Sequence, residues 1–252
     1  MSLSSRFWFL GLFCFLAACT SSPNLESYPQ RQIDRPFTLP DDVATWTSVV
    51  GTSVVDDGRS SSSLNLNPLI FEQALNENLT LEYSPIPLGL RYQISNTEQN
   101  ILGASLRTGI GYSSFSGLIL QPILGFYHRH RPGGSWAWES SVAYSKELSD
   151  RPVESESAFL STGPMFQLSD TVVLSPDIGF GVTRNELAEF QEYEGVQVDV
   201  DEFLFSVPAS MSFRWLFDRQ WEYGVFYRLN SLILEEDRLA VHSLNMSVTH
   251  FW

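Results

Sequence analysis

The sequence predicts an all-β protein that forms a transmembrane, antiparallel, up-and-down β-barrel of about twelve strands, with ten strands as the alternative. Three observations predict this fold. Apolar and polar residues alternate with period 2 along most of the chain, short polar turns recur between the alternating segments, and the last segment alternates up to the final residue. In lipid every strand edge must be paired, so a sheet with one apolar and one polar face is expected to close on itself.

The clearest alternation covers residues 203–217 and resumes at residue 221 after the turn Asp218-Arg219-Gln220. Its apolar face ends in Phe213, Trp215 and Phe217, and aromatic clusters of this kind are typical of strand ends at a membrane interface. A soluble β-sandwich is the alternative. It would bury this aromatic surface inward and would show fewer polar residues on the opposing face.

Short turns and longer polar stretches divide the chain into hairpins. The short turns are predicted to lie at the periplasmic end, where barrels keep their connections short. Six hairpins give about twelve strands, and ten remain an alternative because residues 43–55 and 64–75 alternate poorly. The predicted short turns are 76–78, 96–100, 131–135, 169–170 and 218–220, and the predicted outer connections are 56–63, 86–87, 115–117, 150–157, 186–195 and 235–238.

The first residues have the form of an export signal. Arg6 precedes an uncharged apolar run over residues 7–18, which is too short to span a bilayer and therefore indicates a signal peptide over residues 1–18. The four residues Leu16-Ala17-Ala18-Cys19 resemble the lipobox of bacterial lipoproteins. The resemblance implies that Cys19 receives lipid and becomes the first residue of the mature chain. Ordinary cleavage that leaves Cys19 unmodified is the alternative.

Three regions follow from this processing. The signal peptide is followed by a polar, proline-bearing stretch at residues 19–36, which is predicted to be a flexible lipid-anchor tether. Residues 37–252 are predicted to form the barrel. Lipoproteins kept in the inner membrane usually have Asp after the acylated cysteine. Thr20 stands there, so the resemblance implies passage to the outer membrane of a Gram-negative bacterium.

The end of the chain alternates as a last barrel strand would. Leu244, Met246, Val248 and Trp252 share one face, and Phe251 lies on the other. This ending resembles the assembly signal of outer-membrane barrels and implies the barrel assembly machinery as a partner during biogenesis. Outer-membrane lipids and lipopolysaccharide are the other expected partners, and the oligomeric state is not predicted.

Composition excludes several classes of function. The formal net charge is -14 and the isoelectric point is near 4.6, so nucleic acid is not an expected partner. Both cysteines, Cys14 and Cys19, lie in the leader region, which excludes disulfides and cysteine metal sites in the mature body. No phosphate-binding loop or metal-spaced ligand cluster is present in the sequence, and no cofactor is expected.

Histidines are the residues that would indicate an outer-membrane enzyme. Barrel phospholipases and lipid A deacylases place a His and a Ser two residues apart on the lipid-facing side. Here His242 is followed at that spacing by Leu244, and His128 and His130 share a face at the predicted periplasmic end without a serine or acidic partner on it. No catalytic residue is therefore predicted, and a lipid-modifying enzyme is the second alternative function.

Charged residues collect on the predicted inner face. They either pair as salt bridges that fill the barrel, or Arg91, Arg107 and Arg129 form a ladder resembling that of small anion-selective and acidic-oligosaccharide channels. Folding about the turns places Glu82 directly opposite Arg91, Arg129 diagonal to Glu139, and Arg214 diagonal to Glu222. The predicted lumen charge network comprises Glu82, Arg91, Arg107, Arg129, Glu139, Asp177, Arg214, Glu222 and Arg228.

The sequence therefore predicts a porin-like outer-membrane barrel (lipo)protein with a largely plugged lumen and a structural or surface-interaction role. A channel for small anions or acidic solutes is the first alternative. Paired charge is the usual fate of ionisable groups within a membrane, which favours the plugged lumen over the anion ladder.

We predict that Cys19 is acylated, because the residues before it have the lipobox form. Metabolic labelling with a radioactive fatty acid should tag the wild-type protein, and the Cys19→Ala variant should lose the label. Labelling that survives the substitution would show that the lipid is attached elsewhere.

Overall fold

The computed structural model describes residues 25–26, 28–56, 61–83, 88–113, 117–149, 153–187, 201–230, 232 and 240–252. Nearly all of its regular structure is strand, preceded by one short 3-10 helix at Gln32–Asp34. The strands are β1 Ala44–Asp56, β2 Ser61–Asn76, β3 Leu79–Tyr83, β4 Leu88–Asn96, β5 Asn100–Ser113, β6 Gly117–His130, β7 Trp136–Lys146, β8 Leu148–Ser149, β9 Val153–Ser169, β10 Val172–Leu187, β11 Asp201–Ser206, β12 Ala209–Phe217, β13 Trp221–Leu229 and β14 Ala240–Phe251.

These strands form one antiparallel sheet that closes through pairing of β1 with β14. The short β8 continues β7 along β6, and β11 and β12 both pair with β10 in one continuous register. Counting each such pair of segments as one strand gives a closed barrel of twelve, and the predicted all-β barrel fold is confirmed.

Alternation separates the two faces of the barrel wall. On β12, Met211, Phe213, Trp215 and Phe217 are each more than two-fifths exposed, while Ser212 and Leu216 on the alternate positions are buried. Large exposed apolar side chains follow the same rule on the other strands, so the outer face suits lipid and the inner face is mainly polar.

All five predicted short turns are present and connect β2 to β3, β4 to β5, β6 to β7, β9 to β10, and β12 to β13. The two poorly alternating segments near the start form strands β1 and β2. The barrel therefore has twelve strands rather than ten. The predicted connections at 86–87 and 235–238 lie outside the described residues, as do parts of the other outer connections.

Several predicted boundaries were wrong. Residues 61–63 and 186–187, predicted to belong to outer connections, are parts of β2 and β10. Residues 153–157, predicted to belong to an outer loop, form the start of β9 and pair with the end of β10. The segment 203–217, predicted as one strand, is interrupted at Val207-Pro208, where proline has no N–H to donate to the ladder. Its carbonyl still accepts a hydrogen bond from the Gly179 N–H at 2.8 Å, so the register of β10 continues across the break.

Aromatic rings gather on the outer face where β14 meets β1 and β13. The His250 imidazole lies 4.3 Å from the Trp221 ring and 5.7 Å from the Trp252 ring, and Trp46 packs edge-on against Trp221 at 5.8 Å between ring centroids. Such rings anchor a barrel at the membrane interface. Among the described residues, no helix has the length and apolar character needed to cross a membrane.

The chain ahead of β1 was predicted as a flexible tether up to residue 36, and for its described part this needs correction. From Tyr28 onward the chain packs against inward-facing side chains of the barrel, and Gln32, Ile33 and Arg35 are each buried. A polar, proline-bearing sequence is therefore no guide to flexibility here, because its partners lie on distant strands. Residues 28–43 are called the N-terminal segment below.

Removal of Phe251 and Trp252 should reduce the yield of folded barrel. The Trp252 backbone exchanges two hydrogen bonds with Ala44, at 2.8 and 3.0 Å, where the barrel closes, and Phe251 is buried against Leu25 and Leu216. Heat-modifiable mobility on gels of isolated outer membranes measures the folded fraction. An unchanged yield and mobility would contradict both the assembly signal and the closure.

Candidate functional site

The N-terminal segment is held in the lumen by hydrogen bonds to inward-facing side chains. The Arg129 guanidinium on β6 donates to three of its carbonyls, those of Gln32, Ile33 and Arg35, at 2.7, 3.3 and 3.0 Å. Further along the segment, Thr80 on β3 accepts a hydrogen bond from the Leu39 N–H at 2.8 Å. The segment is therefore fixed to the barrel wall at two separate strands.

Two glutamine side chains satisfy further backbone donors of the segment. Gln167 on β9 accepts from the Ile33 N–H at 3.3 Å, and Gln93 on β4 accepts from the Phe37 N–H at 2.9 Å. Both glutamines are themselves buried. Buried backbone N–H groups require such partners, so these side chains compensate for the absence of a strand neighbour along the segment.

Apolar contacts occur at both ends of the segment's path. Ile33 packs against Ala137, Met165 and Val173, and all four side chains are at most 2% exposed. A second cluster joins the segment to β2, β12 and β14, and its members are Leu25, Leu39, Val43, Ala74, Leu216 and Phe251, with Tyr28 packed against them.

Phe37 occupies a place that a glycine leaves open. Its ring stacks on Tyr127 at 4.7 Å between centroids, and the Arg91 guanidinium lies 5.7 Å from the ring centre. A Cβ atom on Gly103 would lie only 2.1 Å from the Phe37 ring. Glycine at position 103 is therefore required for the ring to dock against β5.

Charged side chains form a chain of ion pairs across β2 to β5. Arg91 contacts Glu72 at 2.9 Å and Glu82 at 2.7 Å, and Arg107 contacts the other oxygen of Glu82 at 2.7 Å. Gly89 stands between Glu82 and Arg107 in the register, and a Cβ there would lie 2.9 Å from the Arg107 side chain. The glycine lets Arg107 reach across β4, and the four charges of this group sum to zero.

The predicted contact between Glu82 and Arg91 is present, but its predicted register is wrong by two residues. Thr80 stands opposite Arg91, and Glu82 stands opposite Gly89. The hairpin tip was predicted at Ile86-Pro87, which lies outside the described residues. Long side chains reach diagonal neighbours in a sheet, so the ion pair forms in spite of the shift.

The other two predicted pairs have different outcomes. Arg129 lies directly opposite Glu139 rather than diagonal to it, and the two form an ion pair at 2.5 Å. Arg214 is diagonal to Glu222 as predicted, but Glu222 binds Arg35 at 2.5 Å instead. Sequence reasoning missed Arg35 because it lay in the predicted tether, and missed Glu72 because β2 alternates poorly.

The remaining residues of the predicted network have no ion pair among the described residues. Asp177 accepts a hydrogen bond from the Ser210 hydroxyl at 2.5 Å, and Arg228 lies 5.7 Å from the Phe159 ring centre. Arg214 donates to the Gln32 side-chain oxygen at 3.4 Å. The arginines proposed as an anion ladder, Arg91, Arg107 and Arg129, are all paired with carboxylates, which does not favour the ladder.

On the outer face the structure gives the histidines partners that the sequence did not reveal. Asn100 Oδ1 lies 3.1 Å from His128 Nε2 and 3.0 Å from His130 Nδ1, and Ser140 stands opposite His128 in the register. A serine hydrolase needs a hydrogen bond between serine and histidine. The Ser140 hydroxyl instead pairs with the Thr162 hydroxyl at 2.8 Å, so this row lacks that arrangement.

His242, the other candidate base, binds the Tyr227 hydroxyl at 2.7 Å through Nδ1. Within the described part of the chain, no group of three or more histidine, cysteine or acidic side chains could hold a metal ion.

Comparison with known proteins finds solved structures with a similar fold. No protein-family model and no curated protein matches the chain. The COG4313 outer membrane channel of Pseudomonas putida F1 is similar in structure, with a TM-score of 0.65 and 14% identity over 85% of this chain and 97% of that chain. The toluene transporter TodX of Pseudomonas putida matches at a TM-score of 0.42 with 11% identity, over 90% of this chain and 92% of that chain.

These identities are low, so the likeness concerns the fold and identifies no specific family. The structural neighbours are bacterial outer-membrane barrels, and the described chain is a closed barrel with an apolar outer face. The protein is therefore an outer-membrane β-barrel of a bacterium.

Proposed function

We propose that this protein is an outer-membrane channel that its own N-terminal segment holds closed at rest. The observation that carries the proposal is the Arg129 clamp on three carbonyls of the segment, inside the ring of strands. A chain fixed across the periplasmic mouth obstructs the path of a solute. The fold likeness to an outer membrane channel supports the choice of a channel.

The attachments of the segment are strong enough to keep it in place. Burial of an apolar side chain such as Ile33 or Leu39 contributes about 1.5–3 kcal/mol each. Arg35 and Glu222 are each about nine-tenths buried, and removing one member of a buried pair typically costs about 3–5 kcal/mol. None of these contacts is covalent, so the closed state is reversible in principle.

The proposed lipid anchor fits this arrangement. Leu25 packs with Leu216 near the turn after β12, and its carbonyl accepts a hydrogen bond from Arg219 at 3.4 Å. The six residue steps from Cys19 to Leu25 can span about 20 Å when extended. An acyl chain on Cys19 could then insert in the inner leaflet of the outer membrane and keep the segment beside the lumen after release.

A permanently closed barrel with a structural or surface-interaction role is the second candidate. The ion pairs of Glu72, Arg91, Glu82 and Arg107 favour it, because they fill part of the lumen independently of the N-terminal segment. The two candidates differ in what happens when the segment is displaced. Displacement opens a gated channel and leaves a permanently closed barrel shut.

The Gly103→Ala variant should conduct in planar bilayers where the wild type shows little conductance. A methyl group at this position overlaps the Phe37 ring, so the segment must leave its place, whereas none of its own residues is changed. Gly109→Ala is the matched control on the same strand, because a Cβ there meets its nearest neighbour at an ordinary 3.6 Å. The control should behave as the wild type does.

Protease cleavage within residues 28–43 reports separately whether the segment has been displaced. Displacement without conductance in Gly103→Ala would favour the permanently closed barrel. Large, steady conductance in the wild type would contradict both candidates, since neither allows an open resting lumen.

A further inference from the structure

Three buried polar atoms at the junction of the N-terminal segment and the barrel wall lack hydrogen-bond partners within the described structure. They are Gln32 Nε2, Ser175 Oγ and Arg214 Nε. Buried groups of this kind are rare in folded proteins, and a bound ion or water is a common explanation. Two of the three are obligate donors and the third is a hydroxyl, so together they suit a ligand that accepts hydrogen bonds.

The three atoms belong to neighbouring residues. Arg214 and Ser175 line one interior cavity of about 110 Å³, and Arg214 contacts Gln32 at 3.4 Å. In the register of β10 and β12, Ser175 is opposite Ser212 and diagonal to Arg214. The serines Ser141, Ser161 and Ser212 also line the cavity.

Arg214 differs from most other arginines of the lumen because no carboxylate of the described residues forms an ion pair with it. Arg35, Arg91, Arg107 and Arg129 each have a carboxylate at 2.9 Å or less, whereas the described structure places none within 4.0 Å of Arg214. The Phe226 ring lies 5.6 Å from the Arg214 guanidinium. Arg214 is partly buried and its Nε has no hydrogen-bond partner, so an anion in the adjoining cavity would supply a charge-assisted acceptor that the described residues do not.

Two acidic residues line the same cavity and have other partners. Glu139 accepts hydrogen bonds from Arg129 and from the Tyr127 hydroxyl, and Asp177 accepts one from Ser210. Glu139 is thus neutralised by Arg129. Asp177 lies four positions along β10 from Val173, the residue opposite Arg214, so Arg214 and Asp177 line different parts of the cavity.

We propose that Gln32, Ser175 and Arg214 form a binding site for a small carboxylate or inorganic oxyanion. The planar guanidinium matches such ligands in a two-point contact, and the amide and hydroxyl supply further donors. At roughly 30 Å³ for each water-sized group, the cavity takes a ligand of about three or four such groups. Formate and inorganic phosphate are of this size.

Binding of the anion would also stabilise the state in which the N-terminal segment closes the lumen. This part of the inference rests on the proposed function. Gln32 belongs to the N-terminal segment and Arg214 belongs to the wall, so an anion held by both binds the closed state in preference to a state with the segment released. A ligand shifts an equilibrium toward the state it binds better. The bound anion therefore acts as a removable link between segment and wall.

The test measures the unfolding temperature of the full-length barrel in detergent, with tryptophan fluorescence as the readout. Formate or phosphate is added in place of fluoride, and the ionic strength is kept constant. Wild type should gain stability with either probe in a saturable manner. In Arg214→Gln the apparent affinity should fall by about tenfold or more, which corresponds to loss of one charge-assisted hydrogen bond. Arg107→Gln, which alters a paired arginine, should retain the wild-type response.

A second variant keeps the test decisive if Arg214→Gln folds poorly. Gln32→Glu places a carboxylate of the protein itself beside Arg214, so it should raise the unfolding temperature without added anion and abolish the response to formate. No saturable response of the wild type, or an unchanged response in Gln32→Glu, would overturn the site. Bilayer recordings on the same proteins keep the two proposals apart, because a closed wild type that ignores anions refutes only the site.

Discussion

The structure depends on one constraint: within a membrane, a polar group without a partner is strongly unfavourable. The constraint acts first on the backbone and closes the sheet by joining β1 to β14. It acts next on the inner face, where Glu82 binds two arginines at once. It acts finally on the N-terminal segment, whose N–H and C=O groups are met by Arg129, Gln93, Gln167 and Thr80 rather than by a neighbouring strand.

The same constraint connects the segment to the proposed function. Side chains that satisfy the segment point inward from the strands, so they would lose these hydrogen bonds if it moved away, although Arg129 would keep its ion pair with Glu139. Closing the lumen is thus the arrangement in which most of these groups have partners. Arg214 and Gln32 are among the exceptions, because a donor on each has no partner in the described structure beside their contact at 3.4 Å. A ligand at this place would supply partners that the protein itself does not.

Alternation along the strands could be predicted from the sequence because its period is short and local. The outward set on β12 and the short turn at Asp218-Arg219-Gln220 follow from neighbouring residues, and both were predicted correctly. Positive φ angles at Asp218 and Arg219 fit the tight turn between the two strands. The pairing of Arg129 with Glu139 was also predicted, although the two lie directly opposite rather than diagonal, because a short turn limits the registers that the strands can adopt to a few.

Contacts between residues far apart in sequence could not be predicted in this way. Arg35 and Glu222 are separated by most of the barrel, and no periodicity in residues 19–36 indicates that they enter the lumen. The register of Glu82 and Arg91 depends on the length of a hairpin tip, which the sequence alone leaves free by one or two residues. The Ser175 and Arg214 site needs three separate chain segments, so no motif within one of them could have revealed it.

The central claim is that the N-terminal segment lies inside the barrel, and cysteine cross-linking tests it most directly. Ile33 packs against Ala137, and acylation of Cys19 would leave the mature chain without a free thiol. In the Ile33→Cys, Ala137→Cys double variant, oxidation of intact outer membranes should give an internal disulfide that alters the mobility of the unfolded chain on gels. Each single variant should give none. A double variant that stays reduced, with the thiol introduced at position 33 open to a membrane-impermeant maleimide in opened cells, would contradict the account.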